Sequence, residues 1–221
     1  MRNIATRRLA ATILALAFGA VGCSAHSTPD YSSLVTTSAT STEETSPTEA
    51  PTPIADYLAS VDVTGQQVPL DKLTDITVTL TKPPGWTKYA NPNFSPGTEA
   101  IAKNNTYPTA MVMAFKLTGN FDVAEALKHA PADAELSQNF TKLNFSEAPF
   151  MGFPSSMIEG TYDLNGTRLH TYSRIVIPVS PGPAFQRYLV QFTVTSRADQ
   201  AGPEAGDVEA VIKSFTVTAK K

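Results

Sequence analysis

The hydrophobic positions of this chain change period several times, and each change marks an element. Ile54, Tyr57 and Leu58 recur at i, i+3 and i+4 directly after Pro53, which predicts a short helix starting near Thr52. Ile76-Thr77-Val78-Thr79-Leu80 alternates as a half-buried strand does, and Pro83-Pro84-Gly85 ends it before Trp86. The run from Ala110 to Leu117 is apolar almost throughout. With Pro108 before it and Gly119-Asn120 after it, it predicts a buried strand. The period then turns helical: Asp122 with Glu125 three residues on forms an N-terminal cap, and Val123, Ala126, Leu127 and Ala130 share a face until Pro131.

Strands dominate the second half. Segments 156–164 and 167–179 flank Asn165-Gly166, a pair that tolerates the positive φ angles of a type I′ turn and so predicts a hairpin. Alternation puts Leu169, Thr171, Ser173, Ile175 and Ile177 on one face of it, and Arg168, His170, Tyr172 and Arg174 on the other, exposed face. A third strand over 187–196 turns Tyr188, Val190, Phe192 and Val194 to one side. Val208, Val211, Ile212 and Phe215 then follow helical spacing. Tight turns between strands make the sheet mostly antiparallel, with helices packed on it, so the class is α+β.

Upstream of these elements the chain reads differently. Arg2, Arg7 and Arg8 precede an apolar run from Leu9 to Val21, too short for a permanent membrane span, which predicts a signal peptide over residues 1–22. It ends at Ala20-Val21-Gly22-Cys23, which resembles the bacterial lipobox, although Ala20 stands where that pattern prefers Leu. Cys23 is the only cysteine in 221 residues. A lone thiol in an oxidising compartment invites unwanted disulfides unless chemistry consumes it, and lipidation of Cys23 would do so. Residues 23–53 are rich in Ser, Thr, Pro, Ala and Glu; such a segment cannot bury enough surface to offset its ordering entropy, and predicts a disordered tether. One globular domain is expected over 54–221.

Charge and chemistry narrow the function classes. Seventeen basic against twenty acidic residues give a net charge of −3, without a basic run in the domain, which argues against nucleic acid as a partner. Three histidines, at 26, 129 and 170, are too scattered for a recognisable metal motif, and no Gly-rich phosphate loop occurs; no cofactor is expected. Ser155 or Ser156 with His170 as base is the one conceivable acyl-transfer pair, but the Gly-x-Ser-x-Gly elbow is missing. Phe140, Phe145, Phe150, Met151, Phe153 and Met157 crowd into a short span, with Met111 and Met113 able to join from the central strand. Soft methionines and aromatics suit either an adaptable apolar pocket or a core between sheet and helix.

Together, the lipobox, the tether, Pro83-Pro84-Gly85-Trp86, the stretch from Gly152 to Tyr162 (GFPSSMIEGTY) and the stretch from Arg187 to Phe192 before Thr195-Ser196-Arg197-Ala198 resemble the LpqN/LpqT family of mycobacterial lipoproteins. The resemblance implies a PsbP-like sandwich and a lipid-anchored, non-enzymatic protein on the outer face of the cell membrane. It also implies binding of acylated trehalose glycolipids and contact with the periplasmic regions of transmembrane lipid exporters. On this reading Phe150, Met151, Phe153 and Met157 receive an acyl chain and Arg168, Tyr172 or Arg174 the head group. The competing expectation is a hydrolase or transferase acting on envelope esters.

Overall fold

Eight antiparallel strands form the main sheet of the computed structural model, which describes residues 50–220. Across it the order is β3 (Trp86–Lys88), β4 (Glu99–Lys103), β5 (Thr106–Thr118), β9 (Tyr188–Arg197), β8 (Thr167–Val176), β7 (Ser155–Leu164) and β6 (Thr141–Ser146). The short β1 (Thr64–Gln67) shares an edge of β5 with β4. A separate pair, β2 (Ile76–Thr79) and β10 (Thr216–Ala219), lies off this sheet.

Both faces of the sheet are covered, each by its own apolar cluster. On one face α1 (Ile54–Ser60) and α2 (Val123–Lys128) bring Ile54, Leu58, Ala126 and Leu127 onto Leu117, Ile175, Ile177 and Leu189. A further short helix, α3 (Ala132–Glu135), follows α2. On the other face α4 (Ala201–Ser214) and the β2–β10 pair bring Val211, Phe215, Ile76, Val78 and Val217 onto Val112, Val190, Phe192 and Val194. The result is an α+β sandwich, and its turns and caps follow the sequence pattern. Asp122 accepts a hydrogen bond from the Glu125 amide at 3.1 Å, and Asn165-Gly166 takes φ angles of 50° and 75°, as a type I′ turn requires.

Three expectations are corrected. β5 starts at Thr106, so Pro108 lies inside the strand rather than ahead of it. The pairing of β4 with β5 slips between Ala102 and Lys103, and β9 first pairs at Thr109, so the missing proline N–H breaks no ladder bond. β8 ends at Val176, three residues early, because Ile177 gives its amide to the Pro154 carbonyl at 2.9 Å and Pro178 has none to give. The hairpin face carrying Arg168, His170, Tyr172 and Arg174 is not an exposed one: it lies on the α4 side of the sheet, and Tyr172 is 8% exposed.

Candidate functional site

The composition of α4 shapes the site. Its C-terminal half turns Val208, Val211 and Ile212 to the sheet, while its N-terminal half brings Ala201 and Ala205 to the cleft, beside Gly202 and Gly206. Small residues over the long side chains of β7 and β8 leave a cleft of about 270 Å³, lined by Ala201, Ala205, Val208, Glu209 and Ile212 from the helix and Glu159, His170 and Ser196 from the sheet. Lys103 on β4 pairs with Asp207 and pins the helix from its other flank. In the floor, His170 Nε2 lies 2.9 Å from Glu159 Oε1. A larger cleft of about 500 Å³ lies between residues 117–120 and 184–187, beside the protruding Phe185, but none of the residues expected to bind ligand lines it.

Beyond the C-terminal end of α4 the aromatic residues form a stack. Phe192 lies parallel to Phe215 at 4.3 Å between ring centres, Phe215 to Phe150 at 5.4 Å, and Tyr172 meets Phe192 edge-on at 6.1 Å. Phe150 and Phe153 face each other because they exchange backbone hydrogen bonds of 2.9 and 3.0 Å around Met151-Gly152, whose positive φ angles of 52° and 85° close a second type I′ turn. Met151 sits at its tip, 51% exposed, with its sulfur 3.4 Å from the Val217 amide. The Arg174 guanidinium lies 4.7 Å from the centre of the Phe150 ring. It donates from Nε to the Tyr172 hydroxyl at 2.8 Å and from Nη1 to Ser155 Oγ at 3.1 Å.

The structure divides the residues singled out from the sequence. Phe150, Phe153, Met157, Tyr172 and Arg174 come together on the α4 side, with Met151 at the rim. Met111, Met113, Phe140 and Phe145 do not join them. Met111 and Met113 alternate with Val112, which faces α4, and so point to the opposite face, while Phe140 lies over the site of Gly160. Phe145 is on the exposed edge strand β6. Arg168 is committed elsewhere: it bonds the Asn139 carbonyl, Asp163, Thr141 and Thr161 and so ties the hairpin end to β6. Hydrogen bonds from Asn139 and then Arg168 hold the Asp163 carboxyl below its ordinary pKa.

The serine–histidine pair is not assembled. Ser156 pairs in register with Ile175 and faces away from His170. Ser155 shares the His170 face but stands opposite Val176, roughly 20 Å along the strand at about 3.4 Å per residue, and its hydroxyl donates to the Ala148 carbonyl at 2.7 Å. Sequence reasoning missed the cleft itself, whose signal is the run of small residues in the first half of α4. Among the described residues no group of three His, Cys, Asp or Glu side chains is placed to hold a metal, and no helix is long and apolar enough to cross a membrane.

Residues 50–218, which include the cleft, the aromatic stack and Arg174, match the model of the family described as "Probable lipoprotein LpqN". The chain belongs to the LpqN lipoprotein family. Within it, the lipoprotein LpqT of Mycobacterium tuberculosis is 54% identical over 212 residues, 96% of this chain and 93% of that protein. The crystal structure of Mycobacterium tuberculosis LpqN, described as involved in cell envelope biogenesis, superposes with a TM-score of 0.62 at 21% identity. That match covers 75% of this chain and 97% of LpqN, and it establishes a common fold. The solution structure of PsbP from Synechocystis aligns over 66% of this chain and 94% of its own at 11% identity, with a TM-score of 0.42. The fold is the α+β sandwich of LpqN, as the resemblance implied. Cys23, the leader and nearly all of the tether lie outside the described residues.

Proposed function

We propose that this LpqN-family protein is a non-enzymatic carrier or adaptor for acylated envelope lipids, held to the outer face of the cell membrane through Cys23. The observation that carries the reading is the cleft of about 270 Å³ between the sheet and α4, whose helical wall is formed by Ala201, Ala205, Val208 and Ile212 with Glu209 at its side. It has room for about nine water-sized groups at ~30 Å³ each. An acyl chain of roughly eight methylenes would gain on the order of 6 kcal/mol by leaving water, before ordering costs. Acylated trehalose glycolipid is the ligand class the family resemblance offers, and the periplasmic regions of lipid exporters are the corresponding protein partners. The part LpqN plays in cell envelope biogenesis supports this setting. The separation of Ser155 and Ser156 from His170 removes the sequence-based case for an ester hydrolase.

Filling the cleft tests the proposal. Ser196→Leu from the buried floor and Ala205→Leu from the roof occupy the space with little displacement of the fold, so the melting temperature should stay within a few degrees. Binding of a decyl glycoside should weaken by about tenfold or more in each, the loss of roughly two buried methylenes' worth of contact. Titration calorimetry beside a thermal melt reads both quantities, and two folded variants that bind as well as the parent would place the ligand elsewhere.

A further inference from the structure

The geometry points to Arg174 as the receptor for an anionic oxygen, so that the ligand taken up beside α4 is an anionic amphiphile, an alkyl carboxylate or alkyl phosphate, in preference to one with a neutral sugar head. This inference rests on the acyl-carrier reading above and puts an anionic head group in place of the neutral trehalose that the family resemblance offers.

Three of the four described arginines illustrate how guanidinium groups are balanced in this protein. Arg168 pairs with Asp163 and Arg197 with Asp199, whereas Arg174 is half-buried and has no carboxylate within ion-pair distance among the described residues. The acidic residue of this face nearest to it along β7 is Glu159, opposite Tyr172, and Glu159 is turned to His170. What surrounds Arg174 instead is the Phe150 ring at 4.7 Å, the Tyr172 ring at 5.7 Å, the Tyr172 hydroxyl and Ser155 Oγ. Ring faces and neutral hydroxyls orient a guanidinium without neutralising it, and a partly desolvated charge left so is stabilised by any anion that reaches it. Nε and one N–H of Nη1 are engaged, which leaves the rest of a planar fork whose spacing suits the paired oxygens of a carboxylate or phosphate.

Charge also fixes the direction in which such a ligand lies. Arg174 stands at one end of the α4 flank and Glu159, with Glu209, at the cleft end; on β8, Arg174 and His170 are roughly 13 Å apart at about 3.3 Å per residue. An anionic head is attracted at the first end and repelled at the second, so the tail runs toward Val208, Ile212 and the small residues of α4. Phe150, Phe153 and the rim residue Met151 flank the head, and methionine adapts its shape to the neck of the ligand.

The test uses the full chain carrying Cys23→Ser, so that no acyl anchor competes for the site, titrated calorimetrically at low ionic strength with decanoate, decyl phosphate and decyl glucoside. At least one of the two anions should bind about tenfold more tightly than the glucoside, and the tighter one identifies the head group. Arg174→Gln should remove that preference, bringing the tighter anion down to the affinity of the glucoside. Arg187→Gln should preserve it, because Arg187 gives its guanidinium to the Phe121 carbonyl and ring beside the other cleft. If Arg174→Gln does not fold, Arg174→Lys decides: it keeps the charge and loses the fork, and should narrow the preference for the anion over the glucoside about threefold. Glucoside binding as tight as that of both anions, a preference that survives Arg174→Gln, or a preference unchanged in Arg174→Lys overturns the inference and leaves acyl carriage standing. If none of the three ligands binds, acyl carriage fails and the inference fails with it.

Discussion

Phe192→Ala should lower the melting temperature by roughly 10 °C or more. Phe192 is fully buried at the middle of β9, stacked on Phe215 and edge-on to Tyr172, and it links the main sheet to the C-terminal end of α4. Removing a ring from such a position costs about 3–5 kcal/mol, because the lost transfer energy is joined by a cavity that the rigid sheet cannot collapse into. For a domain of this size each kcal/mol corresponds to ~2–4 °C. The neighbouring Phe215 and Phe150 then lose a shared surface, so α4 should loosen before the helices on the opposite face. Differential scanning calorimetry measures the drop; a shift of only a degree or two would mean that the stack contributes little and that the core lies elsewhere.

Cys23→Ser should move the protein from the membrane fraction to the soluble fraction almost completely. The argument is chemical: each buried methylene contributes about 0.8 kcal/mol to membrane affinity, one acyl chain holds a protein only marginally, and two or more hold it stably. Cys23 is the one residue of the chain able to carry thioether-linked lipid, and it stands where the apolar leader stops. Fractionation in a mycobacterial host, with the melting temperature of the domain as control, reads the effect. Full-length Cys23→Ser still in the membrane after normal removal of the leader would contradict lipid anchoring at this residue.

Local signals in the sequence were enough for the elements whose structure is decided locally. Asn165-Gly166, the Asp122 cap, the alternation of Tyr188, Val190, Phe192 and Val194, and the helical spacing of Val208, Val211 and Ile212 all form as their neighbours dictate, whereas Phe215, counted to the same helix, is extended and leads into β10. What escaped notice depends on distant partners. β10 is a four-residue strand paired with β2, well over a hundred residues earlier, and β1 and β4 take their places from β5. Met151-Gly152 hid a type I′ turn because methionine rarely occupies a left-handed position, so the turn that brings Phe150 to Phe153 carries no strong local signature.

The same distinction explains the candidate site. Composition brought Phe150, Met151, Phe153 and Met157 into view but could not separate them from Met111, Met113, Phe140 and Phe145, which the sheet alternation sends elsewhere. Arg168 and Arg174, six residues apart on one strand face, looked equivalent in sequence. Only the fold gives Arg168 a carboxylate and withholds one from Arg174. The cleft was not visible because it is a deficit: Ala201 and Ala205 matter through the volume they do not fill, and that depends on what lies beneath them.

The most direct test of acyl carriage is a calorimetric titration of alkyl glucosides from hexyl to dodecyl into the full chain carrying Cys23→Ser. Affinity should rise by at least about twofold for each added methylene, toward the roughly fourfold that full burial gives, and level off once the cleft beneath α4 is filled. An affinity that does not change with chain length would contradict the account.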